Sequence, residues 1–579
     1  MTSSRILFYC ILLIFCLSTV VNSDNHDFDI LIKNAKIIDG TGNPWYFADI
    51  GITGDTITTI GDLSNKTALK IIDADGLFVS PGFIDVHTHC DRGLGKPYTT
   101  ENINYITQGV TTVVTGNCGS GSFDISGLKS KWEKTGIGTN AIMLVGYGTI
   151  RTAVMGVEAR SPTLDETKRM NAILRRAMEE GAWGLSVALQ YIPDRFASTE
   201  EIIAMTKIVG EFGGVFNSHQ RSEEAELIAA VKETIRIGEE TGVRVNAAHL
   251  KASGKYNWGL LKDASRLIKS ARDLGVYITA DLYTYPQCVY SPLVMIFNVP
   301  DDMESLSELE EMIDYYYVLK RMGISVEGYM KSGKAPLIPR SDLLERYTDA
   351  VVAVLRVDAK RDEMRQITMA GAPNKLNWVP MFGWDSFTIV ESKKNPHLKG
   401  KVISDIARDK GRSPLDLAAE LIIEEKNDLI ISVFTMSEED ISFGMKQYWM
   451  MVGSDGSAAH FRPGTKGHPG NYGTFTRVLR KFVREENLLT WADAIRKMTS
   501  FPAQFLGFKD RGLILEGFKA DIVVFDPARV KDNSIYSDSH QLSTGIEYVL
   551  VNGKTSVEHG QYTKALNGKV LLFMPSLLE

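Results

Sequence analysis

Between Ser198 and Asp281 the chain runs three times through one unit, an amphipathic helical segment closed by glycine and then a short β-branched strand. The helical segments are Ser198–Gly213, Glu223–Thr241 closed by Gly242, and Trp258–Leu274 closed by Gly275. Ser198 and Glu201 have the spacing of a capping box. The strands are Gly214–Ser218, Val243–Ala248 and Val276–Asp281. Repeated strand–helix units require a parallel sheet, and this many predict a (β/α)8 barrel. Two of the strands run straight into a histidine, His219 and His249, and His87 and Asp455 also follow apolar runs. Strand C-termini are where such barrels place their chemistry.

A chain of 579 residues is too long for one simple core. Short apolar runs at 29–34, 36–39, 49–53, 56–60 and 70–72 alternate with turns and read as strands of a small sheet, and 520–525, 546–551 and 555–558 read the same way. The expected organisation is therefore a signal peptide at 1–23, a β-sandwich domain built from 24–80 and 506–579, and a barrel over 81–505. Charged helical segments such as Ser305–Met322 and Pro339–Ala350 break the barrel rhythm, which predicts an insertion at about 287–379 over the barrel mouth. The regular pattern resumes at Ser386–Val390, continues through a helix near Pro414–Glu425 and ends in a strand at Gln447–Gly453.

The formal charge of -7 gives no electrostatic footprint for nucleic acid or anionic membrane and suits a soluble enzyme. Arg5 precedes an apolar run from Ile6 to Val21 that ends in Asn22-Ser23, the pattern of a signal peptide, with an uncleaved anchor as the alternative. No other stretch approaches the ~18 apolar residues of a membrane span. The mature chain is expected in the secretory or lysosomal lumen or outside the cell, with no membrane partner. Cys90, Cys118 and Cys288 remain after the signal, an odd number that cannot all pair within the chain. Asn65-Lys66-Thr67 is an acceptor for glycosylation in a polar turn.

Four groups carry chemistry. His87 and His89 are two apart, so a strand would turn both imidazoles to one ion. Alone, the pair also reads as polar residues on a solvated strand face. Cys118 stands at the tip of a Gly-rich turn after Thr111–Thr115, where it reads as a thiolate ligand or a buried structural thiol, with Cys90 as the rival ligand. His219 and His249 end consecutive strands. Asp455 in Gly453-Ser454-Asp455-Gly456 reads as a metal contact and proton acceptor, or as an ordinary turn residue. Nitrogen and sulfur donors favour zinc over magnesium or calcium. Six candidates exceed one tetrahedral shell, which divides them between a tight site and a weaker second one.

This constellation, in this order, resembles the amidohydrolase superfamily and, more narrowly, the N-acyl-D-amino-acid deacylase (D-aminoacylase) family. The similarity runs from Asp29–Gly40 and Pro81–His89 through Gly116–Gly119, Ser218-His219, Ala248–Lys251 and Gly453–Gly456 to Tyr472–Phe475 and Lys519–Phe525. It implies a tight zinc site of Cys118, His219 and His249, a weaker one from His87 and His89, and Asp455 as catalytic base. Lys251 and Tyr283 would hold the substrate carboxylate. The implied reaction is hydrolysis of a linear amide in a small-molecule substrate with a carboxylate, foremost deacylation of N-acyl-D-amino acids, with a cyclic amidase or D-dipeptidase and a non-catalytic scaffold as alternatives. Two departures stand out. Gly470 follows His468-Pro469 where relatives commonly carry an arginine for the substrate carboxylate, leaving Arg462 or Lys466 to substitute, and Cys90 follows His89 where they usually carry aspartate.

Overall fold

The structure, a computed structural model, describes residues 26–298, 340–371, 377–462 and 467–574. The expected signal peptide, the helix Ser305–Met322 and Lys466 lie outside those residues, as does the side chain of Cys288. Eight parallel strands form the barrel: β6 (Phe83–Asp85), β7 (Val110–Thr115), β8 (Asn140–Gly146), β9 (Gly184–Ala188), β10 (Val215–His219), β11 (Arg244–Ala247), β12 (Ile278–Leu282) and β16 (Met450–Val452). They are hydrogen-bonded in that order from β6 to β16. The barrel closes above the last strand, where Asp455 N–H donates to the His87 carbonyl at 2.9 Å and His89 N–H to the Gly456 carbonyl. The helix Thr199–Phe212 starts at Ser198, whose hydroxyl accepts from Glu201 N–H, and ends at Gly213 with a left-handed backbone.

The two chain ends form one continuous nine-stranded sheet. It runs β20 (Gln561–Tyr562), β19 (Lys554–Glu558), β18 (Ile546–Val551), β17 (Ile522–Phe525), β5 (Phe78–Pro81), β1 (Phe28–Ile37), β2 (Tyr46–Thr53), β3 (Thr56–Gly61), with β4 (Ala68–Asp73) also on β1. The sheet curls until Ile57 N–H meets the Phe518 carbonyl and Ala520 N–H meets Asp55, so its halves enclose Ile32, Ile50, Ile52, Val524 and Leu550. Its other face lies on the barrel. Val523, Phe525, Val549 and Val551 belong to the barrel core, while Ile522, Val524, Tyr548 and Leu550 belong to the core between the halves. Burial on both faces explains why these strands read as unbroken apolar runs.

The insertion is longer than the sequence suggests. β14 (Phe387–Glu391) does not return to the barrel but pairs antiparallel with β15 (Ile430–Phe434), which pairs with β13 (Gln287–Pro292). The described strands between β12 and β16 thus lie outside the barrel sheet, around a separate core that includes Leu293, Trp378, Phe387, Ile389, Leu417 and Val433, and the chain rejoins the barrel core at the helix Glu438–Lys446 through Ile441 and Met445. A short buried strand looks alike in either sheet, since burial and not topology sets its composition. The insertion packs on the loop after His249, where Lys255 pairs with Asp385 and Gly254 N–H donates to the Thr435 carbonyl.

Candidate active site

His87, Cys118, His219, His249 and Asp455 all stand at or just beyond the C-terminal ends of barrel strands. Cys118 (φ 53°), His249 (φ 34°) and Asp455 (φ 52°) adopt left-handed backbone, which non-glycine residues rarely do and which turns each side chain away from the course of its strand. The Cys118 turn is tight. A Cβ at Gly116 would lie 2.1 Å from the Leu144 carbonyl oxygen, so only glycine lets the thiol loop fold down on β8.

The structure brings the six expected ligands together. Cys118 Sγ lies 3.3 Å from His87 Nε2, 3.5 Å from His249 Nε2 and 3.9 Å from His219 Nδ1. Tetrahedral zinc, with bonds of about 2.0–2.1 Å to nitrogen and about 2.3 Å to sulfur, sets N···S separations of about 3.6 Å. The donor set fits that ion. Asp455 Oδ1 is 3.1 Å from His89 Nε2 and 3.6 Å from His87 Nε2. The ligand atoms of His87, Cys118, His249 and Asp455 all fall within 4.8 Å of one another.

Each of three imidazoles turns its outer nitrogen to an acceptor and its inner nitrogen to the cluster. His219 Nε2–H donates to Gln190 Oε1 at 2.9 Å, and His249 Nδ1 is 2.8 Å from Glu223 Oε1. His87 Nδ1 is 3.5 Å from Asp281 Oδ1. Such partners fix the ring orientation and leave the inner lone pair for a cation. Burial would raise the Cys118 thiol, but the neighbouring imidazoles of His87, His219 and His249 hold it well below its ordinary value, in the thiolate form that binds metals. Burial likewise opposes ionisation of Asp455, yet the bond from His89 and the charges of His249 and His87 keep its carboxyl below the usual carboxylate range.

Cys90 is no rival ligand. Its Sγ is fully buried 3.8 Å from the Asn102 amide group, outside the cluster, and burial pushes its thiol up to about 12. Lys251, expected to hold the substrate carboxylate, stands beside His249, its Nζ 3.0 Å from His249 Nδ1. The Lys251 ammonium is also buried against Glu223 and lies 5.3 Å above the Tyr283 ring. Tyr283 is 2% exposed and its ring centre is 6.5 Å from that of His249. Arg462 is exposed and donates through Nε to His460. Gly470 opens a helix, and a Cβ there would meet His468 Nδ1 at 2.7 Å.

Sequence reasoning misses Gln190, Glu223 and Asp281. Glu223 falls at the start of a predicted amphipathic helix, where an acidic residue is expected on dipole grounds alone. The helix in fact begins at Leu227, which leaves Glu223 in the preceding turn.

A barrel that gathers metal donors over its strand ends in this way has the build of a metal-dependent enzyme. The amidohydrolase family profile matches residues 70–263 and 450–557. D-aminoacylase of Alcaligenes xylosoxydans xylosoxydans is 30% identical over 572 residues, 95% of this chain and 98% of the relative. A D-aminoacylase structure that concerns a binuclear metal centre, with activation by one metal and attenuation by a second, superposes with a TM-score of 0.69 at 30% identity, over 94% of this chain and 100% of the other. N-acyl-D-glutamate deacylase from Bordetella bronchiseptica, complexed with zinc and a phosphonate mimic of the tetrahedral intermediate, gives 0.68 at 27% identity over 94% and 99%. The chain belongs to the amidohydrolase family, and within it to the D-aminoacylase group.

Proposed function

We propose that the protein is a zinc-dependent deacylase that hydrolyses N-acyl-D-amino acids to a carboxylate and a D-amino acid. The observation that carries this is the Asp455 carboxylate, 3.1 Å from His89 and 3.6 Å from His87 and clustered with Cys118 and His249. Relatives that act on N-acyl-D-amino acids, one of them complexed with zinc, support the substrate class and the metal. Cys118, His219 and His249 would hold the tight zinc, with a second, weaker ion at His87 and His89. Bound zinc supplies Lewis-acid polarisation of the acyl carbonyl and lowers the pKa of water towards ~7.

Asp455 accepts the proton of the attacking water. As the C–N bond breaks, it returns that proton to the leaving nitrogen, so the hydroxyl ends on the acyl carbon and the proton on the amine. Its low pKa keeps it ionised and ready at neutral pH. Tyr283 forms a buried wall beside His249.

Asp455→Asn is expected to lower kcat on the order of 10²–10⁴-fold while zinc stays bound. Near-normal turnover would remove Asp455 as the base. A panel of N-acetyl-D-amino acids, their L-forms, D-dipeptides and hydantoins checks the substrate class, and cleavage of hydantoins alone would overturn it in favour of a cyclic amidase. We also infer secretory delivery, supported by the Arg5 and Ile6–Val21 pattern and by Asn65 in an exposed turn. No helix of the described residues is long and apolar enough to cross a membrane. Expression in a secreting host should yield protein in the medium whose mobility shifts on deglycosylation. Retention in the cytosol would refute the inference.

A further inference from the structure

We propose that Glu224, which is not among the expected metal ligands, is a positioning residue that acts through Gln190 to keep the Nδ1 lone pair of His219 turned to the ligand cluster. The assignment rests on the tight zinc site of Cys118, His219 and His249 read above. The need for such control comes from the cluster itself. His219 Nδ1 lies 2.8 Å from His249 Nε2 and 3.9 Å from Cys118 Sγ. At 2.8 Å one ring can donate to the other, and a proton on His219 Nδ1 would fill the place of an ion. A neutral imidazole carries one ring proton, so holding it on the outer nitrogen, Nε2, frees the inner one. That outer nitrogen faces Gln190 Oε1 at 2.9 Å. An amide alone decides nothing, because its NH2 end in the same place would favour the opposite tautomer.

Glu224 makes the choice. Gln190 stands just past β9 and Glu224 in the turn after β10, on loops that follow paired strands. Gln190 Nε2 donates to both Glu224 carboxylate oxygens, at 3.0 and 3.3 Å. A carboxylate only accepts, so it draws the NH2 end of the amide and turns Oε1 to His219. The carboxylate is itself held, since Oε2 also accepts from Glu223 N–H and from the Ser222 hydroxyl, each at 3.2 Å. Burial and the charge of Glu223 push the Glu224 carboxyl up, and the bonds from Gln190, Glu223 N–H and Ser222 pull it back. Two neighbours in one turn thus serve two ligands. Glu223 lies directly against His249, and Glu224 reaches His219 through one amide.

The test is a double-variant cycle on the tight zinc, read on purified protein without substrate by competition with a chromophoric chelator. In Glu224→Gln the oxygen end of the new amide is claimed by Glu223 N–H and the Ser222 hydroxyl, which turns its NH2 to Gln190. Gln190 must then turn its own NH2 to His219, and the zinc Kd should rise roughly 10–100-fold, the scale for a lost outer partner of a ligand. In the Gln190→Glu background the same substitution should act with the opposite sign. There a carboxylate at position 190 accepts from His219 in any case, and an amide at position 224 relieves the clash of two carboxylates, so zinc binding should tighten. Any result other than this reversal, loss of fold in both backgrounds included, would overturn the assignment and leave Glu224 as a tie for its own turn. Wild type that binds no zinc would instead refute the tight site. Wild type that binds zinc but cleaves no N-acyl-D-amino acid would refute the deacylase reading alone.

Discussion

Burial alone would keep the Cys118 thiol protonated, and the imidazoles packed around it reverse that balance. The same contacts make Cys118 the residue whose removal should empty the tight site. Cys118→Ala should lower bound zinc well below stoichiometry by metal analysis, and full occupancy in the variant would move the ligand role elsewhere. The site histidines are legible in the sequence because a polar imidazole is conspicuous at the end of a buried apolar strand. Their outer partners are not, since Glu223 and Asp281 look like any acidic residue at a helix start or a strand end. The left-handed backbone at His249 is equally hidden. Lys497 is a different case at the same scale. It is 3% exposed, donates to the Gln447 and Met450 carbonyls, and burial, assisted by Arg496, lowers its pKa to about 7. Unfolded chains hold that proton up to about 10.4. Between these values the unfolded state binds more protons, so the lysine's destabilising effect is full below about pH 7 and fades as pH rises. Lys497→Met should therefore raise Tm relative to wild type most at pH 6 and least near pH 10. A difference independent of pH would show that this lysine is not desolvated in the fold.

At the scale of elements, the junction between the barrel and the β domain is built from polar groups that satisfy one another. Asp521, one residue before β17, accepts from Asn140 Nδ2 at 3.1 Å and from Asn552 N–H at 2.7 Å, and pairs with Arg511. Arg511 also donates to Asn552 Oδ1 at 3.0 Å, and Asn552 Nδ2 donates to Asn140 Oδ1 at 2.7 Å. Asn140 opens β8, so the network fastens the base of a barrel strand to both the hairpin at 552 and the returning C-terminal segment. Breaking a buried pair from one side leaves an uncompensated charge, at a cost of about 3–5 kcal/mol. Arg511→Met should lower Tm clearly, while Arg511→Met with Asp521→Asn should recover part of the loss. No recovery in the double variant would mean that shape rather than charge holds the junction. The sequence shows that both chain ends are β-structured, because short apolar runs separated by turns recur in each. It does not show β14 leaving the barrel, because a five-residue buried strand carries no mark of its neighbours.

The ligands also have a consequence for the molecule as a whole. β6 and β16 are the first and last strands of the barrel, and they meet through the backbone of the site residues themselves, Asp455 to His87 and His89 to Gly456. Asp85 reinforces this seam, its buried carboxylate accepting from His87 N–H at 3.0 Å and Ser454 N–H at 3.1 Å. An ion shared by these residues therefore ties together strands that are more than 360 residues apart in the chain (|i−j| = 366 for His89 and Asp455). A ligand that binds only the folded state stabilises it by RT ln(1 + [L]/Kd), about 4 kcal/mol when free ligand exceeds Kd roughly a thousandfold. Stripping wild type with a chelator should lower Tm by several degrees and zinc should restore it, as followed by calorimetry. Cys118→Ala, which removes the thiolate from the tight site, should start from the lower Tm and respond little to either treatment. A Tm in wild type that ignores both chelator and zinc would separate the site from the closure of the barrel, and the ligands would then be passengers on a seam that the backbone holds alone.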